Sequence, residues 1–180
     1  ISPGSLQPGD KIIISGDLGR HGAAVMTSRE GLMLDSDIIS DSANVSPSAL
    51  ALIEAGIKVR CLRDCTRGGF ASVLNELAMA SQVELRVNEE AVPVSEEVGG
   101  VCELLGLDPL YVACEGRYAA FVAPEDAERA VSLMRSDPVS AEARIVGEVT
   151  EGRPCVLLTT RIGVDRVLDL LSGEQLPRIC

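Results

Sequence analysis

Apolar residues along the chain come in short blocks broken by glycine, proline and acidic residues, and the period changes from block to block. Asp10-Lys11-Ile12-Ile13-Ile14-Ser15-Gly16 is too short for a stable helix and predicts a strand. The loop Gly19-Arg20-His21-Gly22 then opens into a helical stretch from Ala23. Ser46-Pro47-Ser48 supplies an N-cap with proline in the first turn, and Gly56 stops that helix before a strand from Lys58 to Leu62. The alternation repeats after Gly68-Gly69, with an apolar-periodic helix from Phe70 to Ala80 and the alternating strand Val83-Glu84-Leu85-Arg86-Val87. A helix from Ser95 to Leu105 ends at Gly106, and strands are expected at Leu110 to Ala113 and Tyr118 to Val122, with Glu115-Gly116 turning between them. Pro124-Glu125-Asp126 starts a helix that closes near Arg135. Strands from Arg144 to Val149 and Cys155 to Thr159 and a helix from Val164 to Leu171 complete the pattern.

Elements of both kinds mixed in this order predict a layered α/β sandwich, with a mixed β-sheet and flanking helices, over residues 1–171. Residues 172–180 have no period and contain Pro177, so they read as a mobile tail ending in Cys180. Two Phe, two Tyr and no Trp leave an aliphatic core. The net charge of −11 excludes broad association with nucleic acid, although local loops remain free to bind a nucleotide. No apolar run approaches the roughly 20 residues of a membrane-spanning helix, and Ile1-Ser2-Pro3-Gly4 is unlike a signal peptide. A cytoplasmic protein without membrane contact is expected. Its six cysteines should then be reduced, with Cys61, Cys102, Cys114 and Cys155 as small buried hydrophobes.

Four features carry candidate chemistry, and each also has a plain structural reading. A terminal cysteine on a flexible arm can take its thiol into another site, so Cys180 is a candidate carrier, or simply a frayed end. Asp64-Cys65-Thr66-Arg67-Gly68-Gly69 joins a strand to a helix start. There backbone N–H groups suit a phosphate, Arg67 adds charge and Asp64 can hold a metal or orient a neighbour, although paired glycines also make an ordinary tight turn. The only histidine, His21, lies between Gly19 and Gly22 and can act as acid, base or hydrogen-bond donor, or be structural. Glu115, in a turn between apolar segments, becomes a usable base if partly buried, and is otherwise a solvated carboxylate. Cys61 and Cys65 have no matching Cys or His pair elsewhere, so no metal site is expected.

Taken together and in this order, these features resemble the second domain of the HypE family of hydrogenase-maturation proteins. That family lies in the superfamily of aminoimidazole ribonucleotide synthetase and selenophosphate synthetase. Gly16 to Gly22 is similar to the family's glycine-histidine-glycine loop, Asp64 to Gly69 to its Asp-Pro-Thr-Arg-Gly-Gly motif, and Glu115-Gly116 to its Asn-Glu-Gly turn. The ending Pro177-Arg178-Ile179-Cys180 separates HypE from its superfamily relatives. Cys65 stands in place of the motif's proline, Cys114 in place of the asparagine before Glu115, and Arg20 where the related loop often has an acid.

The resemblance implies maturation of nickel-iron hydrogenase through ATP-dependent dehydration of a carbamoyl group on Cys180 to a thiocyanate, whose cyanide passes to iron. Cys180, Glu115 and His21 would be catalytic. Asp64, Thr66, Arg67, Gly68 and Gly69 would bind the nucleotide, with ATP and Mg held largely by a separate amino-terminal domain. The implied partners are the carbamoyltransferase HypF, the iron-carrying HypC-HypD complex and, in the full-length protein, a second copy as a homodimer. Without the amino-terminal domain this chain should be inactive. A non-catalytic module that presents Cys180 to partners is the alternative from another class, followed by a different ATP-dependent enzyme of the superfamily.

Overall fold

The computed structural model describes residues 1–29 and 37–170. Its strands form one seven-stranded sheet. In chain order they are β1 (Lys11–Ile14), β2 (Val59–Asp64), β3 (Glu84–Asn88), β4 (Tyr118–Val122), β5 (Arg144–Thr150), β6 (Cys155–Thr159) and β7 (Asp165–Val167), arranged β2-β4-β1-β5-β3-β6-β7. All pairings are antiparallel except β3 with β6, so the sheet is mixed as the sequence predicts. The helices are α1 (Arg20–Arg29), α2 (Ser46–Glu54), α3 (Gly69–Ser81), α4 (Glu96–Leu105) and α5 (Ala127–Arg135).

β1 and β4 form the centre, and side-chain alternation sends their residues into two cores. Ile12, Ile14, Ala119 and Phe121 join Phe70, Leu74 and Leu77 of α3, whereas Ile13, Ala120 and Val122 join Leu52 of α2 and Ala130, Val131 and Met134 of α5. Helices on both faces explain why all five residues of β4 are buried. A third cluster joins Ala23 of α1 to Val98, Val101 and Cys102 of α4 and to Val112. The ends fit the local chemistry: the Ser95 hydroxyl accepts the Val98 N–H to cap α4, and Gly106 in the left-handed region closes it.

Two expected elements differ. Leu110 to Ala113 is not a strand. Asp108 accepts the Leu110 N–H and Pro109 fixes the next turn, giving a 3₁₀ turn at Pro109–Tyr111 followed by an irregular connector. Val164 to Leu171 is not a helix as far as it is described. The open edge of β6 takes Asp165–Val167 as β7, and Asp165 accepts a 2.7 Å hydrogen bond from the Thr159 hydroxyl. Smaller shifts occur at α1, which begins at Arg20 and so takes in His21, and at Pro124–Asp126, a 3₁₀ turn that precedes α5. The expected tail at 172–180, Cys180 included, lies outside the described residues.

Candidate functional site

The connector from Val112 to Arg117 brings three of the sequence candidates to one place. Cys114 donates its N–H to the Cys65 carbonyl at 2.9 Å, and Cys65 donates to the Arg117 carbonyl at 3.0 Å, which extends the β2–β4 pairing into the Asp64–Gly69 turn. On its other side the connector meets the Gly16–Gly22 loop, where Gly22 donates to the Ala113 carbonyl at 3.0 Å and the Gly19 N–H points at Cys114 Sγ at 3.2 Å. Gly69 is required by the same packing. Its φ is +62°, and a Cβ there would lie 2.6 Å from the Leu110 carbonyl oxygen and 2.7 Å from that of Val112.

Glu115 is half-buried at the tip of this connector. Its N–H donates to Asp41 Oδ1 at 3.2 Å, and Gly116 is pressed so closely on the Asp41 carbonyl that no side chain fits there. Arg117 holds the turn from the other side, donating to the Gly116 carbonyl at 2.9 Å, to the Val139 carbonyl at 3.1 Å and to Asp17 Oδ1 at 2.7 Å. Asp17, only 2 % exposed, also pairs with Arg20 at 2.7 Å. One buried carboxylate thus ties the glycine loop to the Glu115 turn through Arg117, while Arg20 of the loop itself pairs with its other oxygen. Among the described residues two carboxylate oxygens here are buried without a partner, Asp41 Oδ2 and Glu115 Oε1.

His21, in the first turn of α1, places Nδ1 2.8 Å from the Ser40 hydroxyl, which also accepts the Ser42 N–H at 3.1 Å. At the other end of the connector, the Thr66 hydroxyl donates to Asp64 Oδ2 at 3.0 Å. Arg67 is exposed and makes no ion pair among the described residues, beside the start of α3 at Gly68 and Gly69. A free guanidinium next to helix N–H groups suits an anion such as a phosphate. Asp64 is engaged by Thr66 and Arg63, and among the described residues no group of three His, Cys, Asp or Glu could hold a metal ion.

Three of the four cysteines expected to be small buried hydrophobes are so, and Cys155 is less enclosed. Cys61, Cys102 and Cys114 are buried, Cys155 is half-buried, and Cys65 is buried as well. Burial, and then the charge of Asp41, pushes the Cys114 thiol up to about 12. Burial first and the neighbouring Cys114 second push Cys65 well above the ordinary thiol range. Sequence reading missed Asp41, Asp17 and Arg117. Asp41 sits in an aperiodic stretch of serines and aspartates, and Arg117 carries no motif, so only the tertiary contacts bring them to the site.

Comparison with known proteins gives the chain its family. Residues 7–158 match the family described as AIR synthase related protein, C-terminal domain. The carbamoyl dehydratase HypE of Rhizobium leguminosarum bv. viciae is 48 % identical over 97 % of this chain and 50 % of its own length. That of Cupriavidus necator is 49 % identical over 97 % and 50 %. The chain therefore spans about half the length of the curated relatives it matches. Among solved structures, hydrogenase maturation protein HypE in complex with ATP superposes with a TM-score of 0.94 at 40 % identity, covering 99 % of this chain and 55 % of that one. HypE from a HypE-HypF complex gives 0.90 at 39 %, covering 94 % and 55 %. At 22 % identity and a TM-score of 0.63, Thermotoga maritima PurL, matched over 91 % of this chain and 28 % of its own, shares the fold. The chain belongs to the AIR synthase related protein, C-terminal domain family, and within it stands with the HypE proteins of hydrogenase maturation.

Proposed function

We propose that this chain is the carboxyl-terminal half of an ATP-dependent carbamoyl dehydratase that makes the cyanide ligand of nickel-iron hydrogenase. The observation that carries the reading is near-half identity, over almost the whole chain, to relatives named carbamoyl dehydratase HypE. The geometry supports it: a half-buried carboxylate, Glu115, is held on both sides of its turn and has one oxygen without a partner among the described residues.

In this reading residues 1–171 form the domain, and the 172–180 tail brings the Cys180 thiol, carbamoylated by a HypF-type transferase, to the site. ATP phosphorylates the amide oxygen, which turns it into a leaving group. Glu115 takes a proton from nitrogen as phosphate departs, and His21, held by Ser40 in the adjoining first turn of α1, is a further proton-transfer group. Arg67, with Thr66, Asp64, Gly68 and Gly69, faces the nucleotide phosphates, while Mg and most of the ATP site belong to the amino-terminal half. HypF fits as a partner because a HypE-HypF complex has been solved. The HypC-HypD iron carrier as acceptor, a homodimer of the full-length protein and a cytoplasmic location complete the proposal.

The test uses the full-length protein with its carbamoyl donor system and mass spectrometry of the tail peptide. Cys180→Ala should abolish carbamoyl acceptance, and Glu115→Gln should spare acceptance but block conversion to the thiocyanate. A modification on Cys65 or Cys114 instead, or conversion by Glu115→Gln at the parental rate, overturns the assignment. If the unaltered protein carries the group without ever converting it, the chain is a presenting module.

A further inference from the structure

Asp41 lies between α1 and α2, where residues 37–45 form no regular element, and is only 5 % exposed. Such burial of a carboxylate calls for hydrogen-bond partners on both oxygens. Oδ1 has one, the N–H of Glu115 at 3.2 Å. Among the described residues Oδ2 has none, and neither does Glu115 Oε1, although both atoms are out of solvent. Two acceptors left open in residues joined by a hydrogen bond suit a nitrogen that carries two hydrogens.

We infer that Asp41 is the second carboxylate of the site, receiving one N–H of the carbamoyl amino group on Oδ2 while Glu115 receives the other on Oε1. This rests on the dehydratase reading. The chemistry requires the nitrogen to lose two protons. The amide oxygen bonds to the γ-phosphorus and ADP leaves, giving an O-phosphorylated imidate that sheds one N–H proton. The second N–H proton then leaves as the carbon–oxygen bond breaks, phosphate departs and the carbon–nitrogen triple bond forms. Asp41 has a positioning part as well, because its Oδ1 and main-chain carbonyl fix the turn that aims Glu115.

Asp41→Asn separates the two parts. The amide keeps an oxygen for the Glu115 N–H but sets an NH₂ donor where Oδ2 was, against the amino group of the substrate. Expected in the full-length protein are parental carbamoylation of Cys180, an unchanged melting temperature and an unchanged KM for ATP, with conversion to thiocyanate slowed on the order of 100-fold. Asp41→Ala, which also frees the turn, should be slower still. Conversion by Asp41→Asn at the parental rate overturns the inference while leaving the dehydratase reading intact, and so does a loss of carbamoyl acceptance, which would place Asp41 in the earlier step. Failure of the unaltered protein to convert the group sinks the dehydratase reading itself. Should the variants not fold, the parent is carbamoylated with ¹⁵N-labelled donor without ATP. Slowed solvent exchange of both amino protons supports the inference, and exchange as fast as in a free thiocarbamate overturns it.

Discussion

Cys65 and Cys114 show how closely the site is bound to the core. Both are buried where their main chains meet, and both thiols are held neutral, Cys114 with its value pushed up to about 12 by burial and then by Asp41. A group whose folded value is raised stabilises the fold fully below its unfolded value, here 9.0, and that stability is lost as pH rises toward the folded value. Denaturant unfolding should therefore show a lower midpoint at about pH 10.5 than at about pH 8, with about 2 kcal/mol of the loss due to Cys114, and Cys114→Ala should reduce the dependence and leave the part due to Cys65. Arg67 behaves in the opposite way. It is exposed and unpaired among the described residues, so Arg67→Ala should leave unfolding within about 0.5 kcal/mol of the parent. Its loss should instead raise the KM for ATP of the full-length protein by roughly 10- to 100-fold, as expected for one charge-assisted contact. An unchanged KM and turnover would count against a phosphate contact at Arg67.

At the scale of elements, the start of α3 is set by contact as much as by helix propensity. Gly69→Ala would place a methyl group on the carbonyl oxygens of Leu110 and Val112 at a φ of +62°, and should cost about 2 kcal/mol or more. Gly100→Ala in α4 meets nothing within 4 Å and should stabilise by about 0.5–1 kcal/mol. Thermal or urea unfolding of the pair checks both signs. The same distinction explains what could be read from the sequence. α3, β3, α4 and β6 were legible because their apolar spacing matches one period, and β1 because it is a short apolar run. Leu110 to Ala113 misled because Leu110, Val112 and Ala113 are buried as a strand's would be, yet the partner of this backbone is a helix N-terminus and a loop, which no local pattern encodes. Val164 to Leu171 misled because an open sheet edge outweighed weak helical spacing. For the candidate site, Glu115, His21 and the Asp64–Gly69 turn stood out by residue type beside glycines, whereas Asp41 and Arg117 act through contacts with residues 74 and 100 positions away.

At the scale of the whole molecule, the chain offers a nucleotide little to hold. It carries a net charge of −11, which repels a triphosphate, and the described part of the site supplies one unpaired guanidinium and the start of α3 as counter-charge. Arg20 and Arg117 lie close by but are already committed to Asp17. HypE in complex with ATP, which superposes so closely on this fold, is covered only to 55 % of its chain, which leaves room outside the match for most of a nucleotide cradle. The purified chain should accordingly turn over ATP at least about 100-fold more slowly than the full-length protein, since both the positioning and the charge stabilisation of phosphoryl transfer would be missing. Adding the amino-terminal half in trans should restore turnover as the two halves associate. The restored rate should fall with Arg67→Ala, which ties the gain to this chain's own site and not to the added half alone. Full turnover by the isolated chain would mean that the phosphate site is complete among these residues, and the division of labour between the two halves would have to be redrawn.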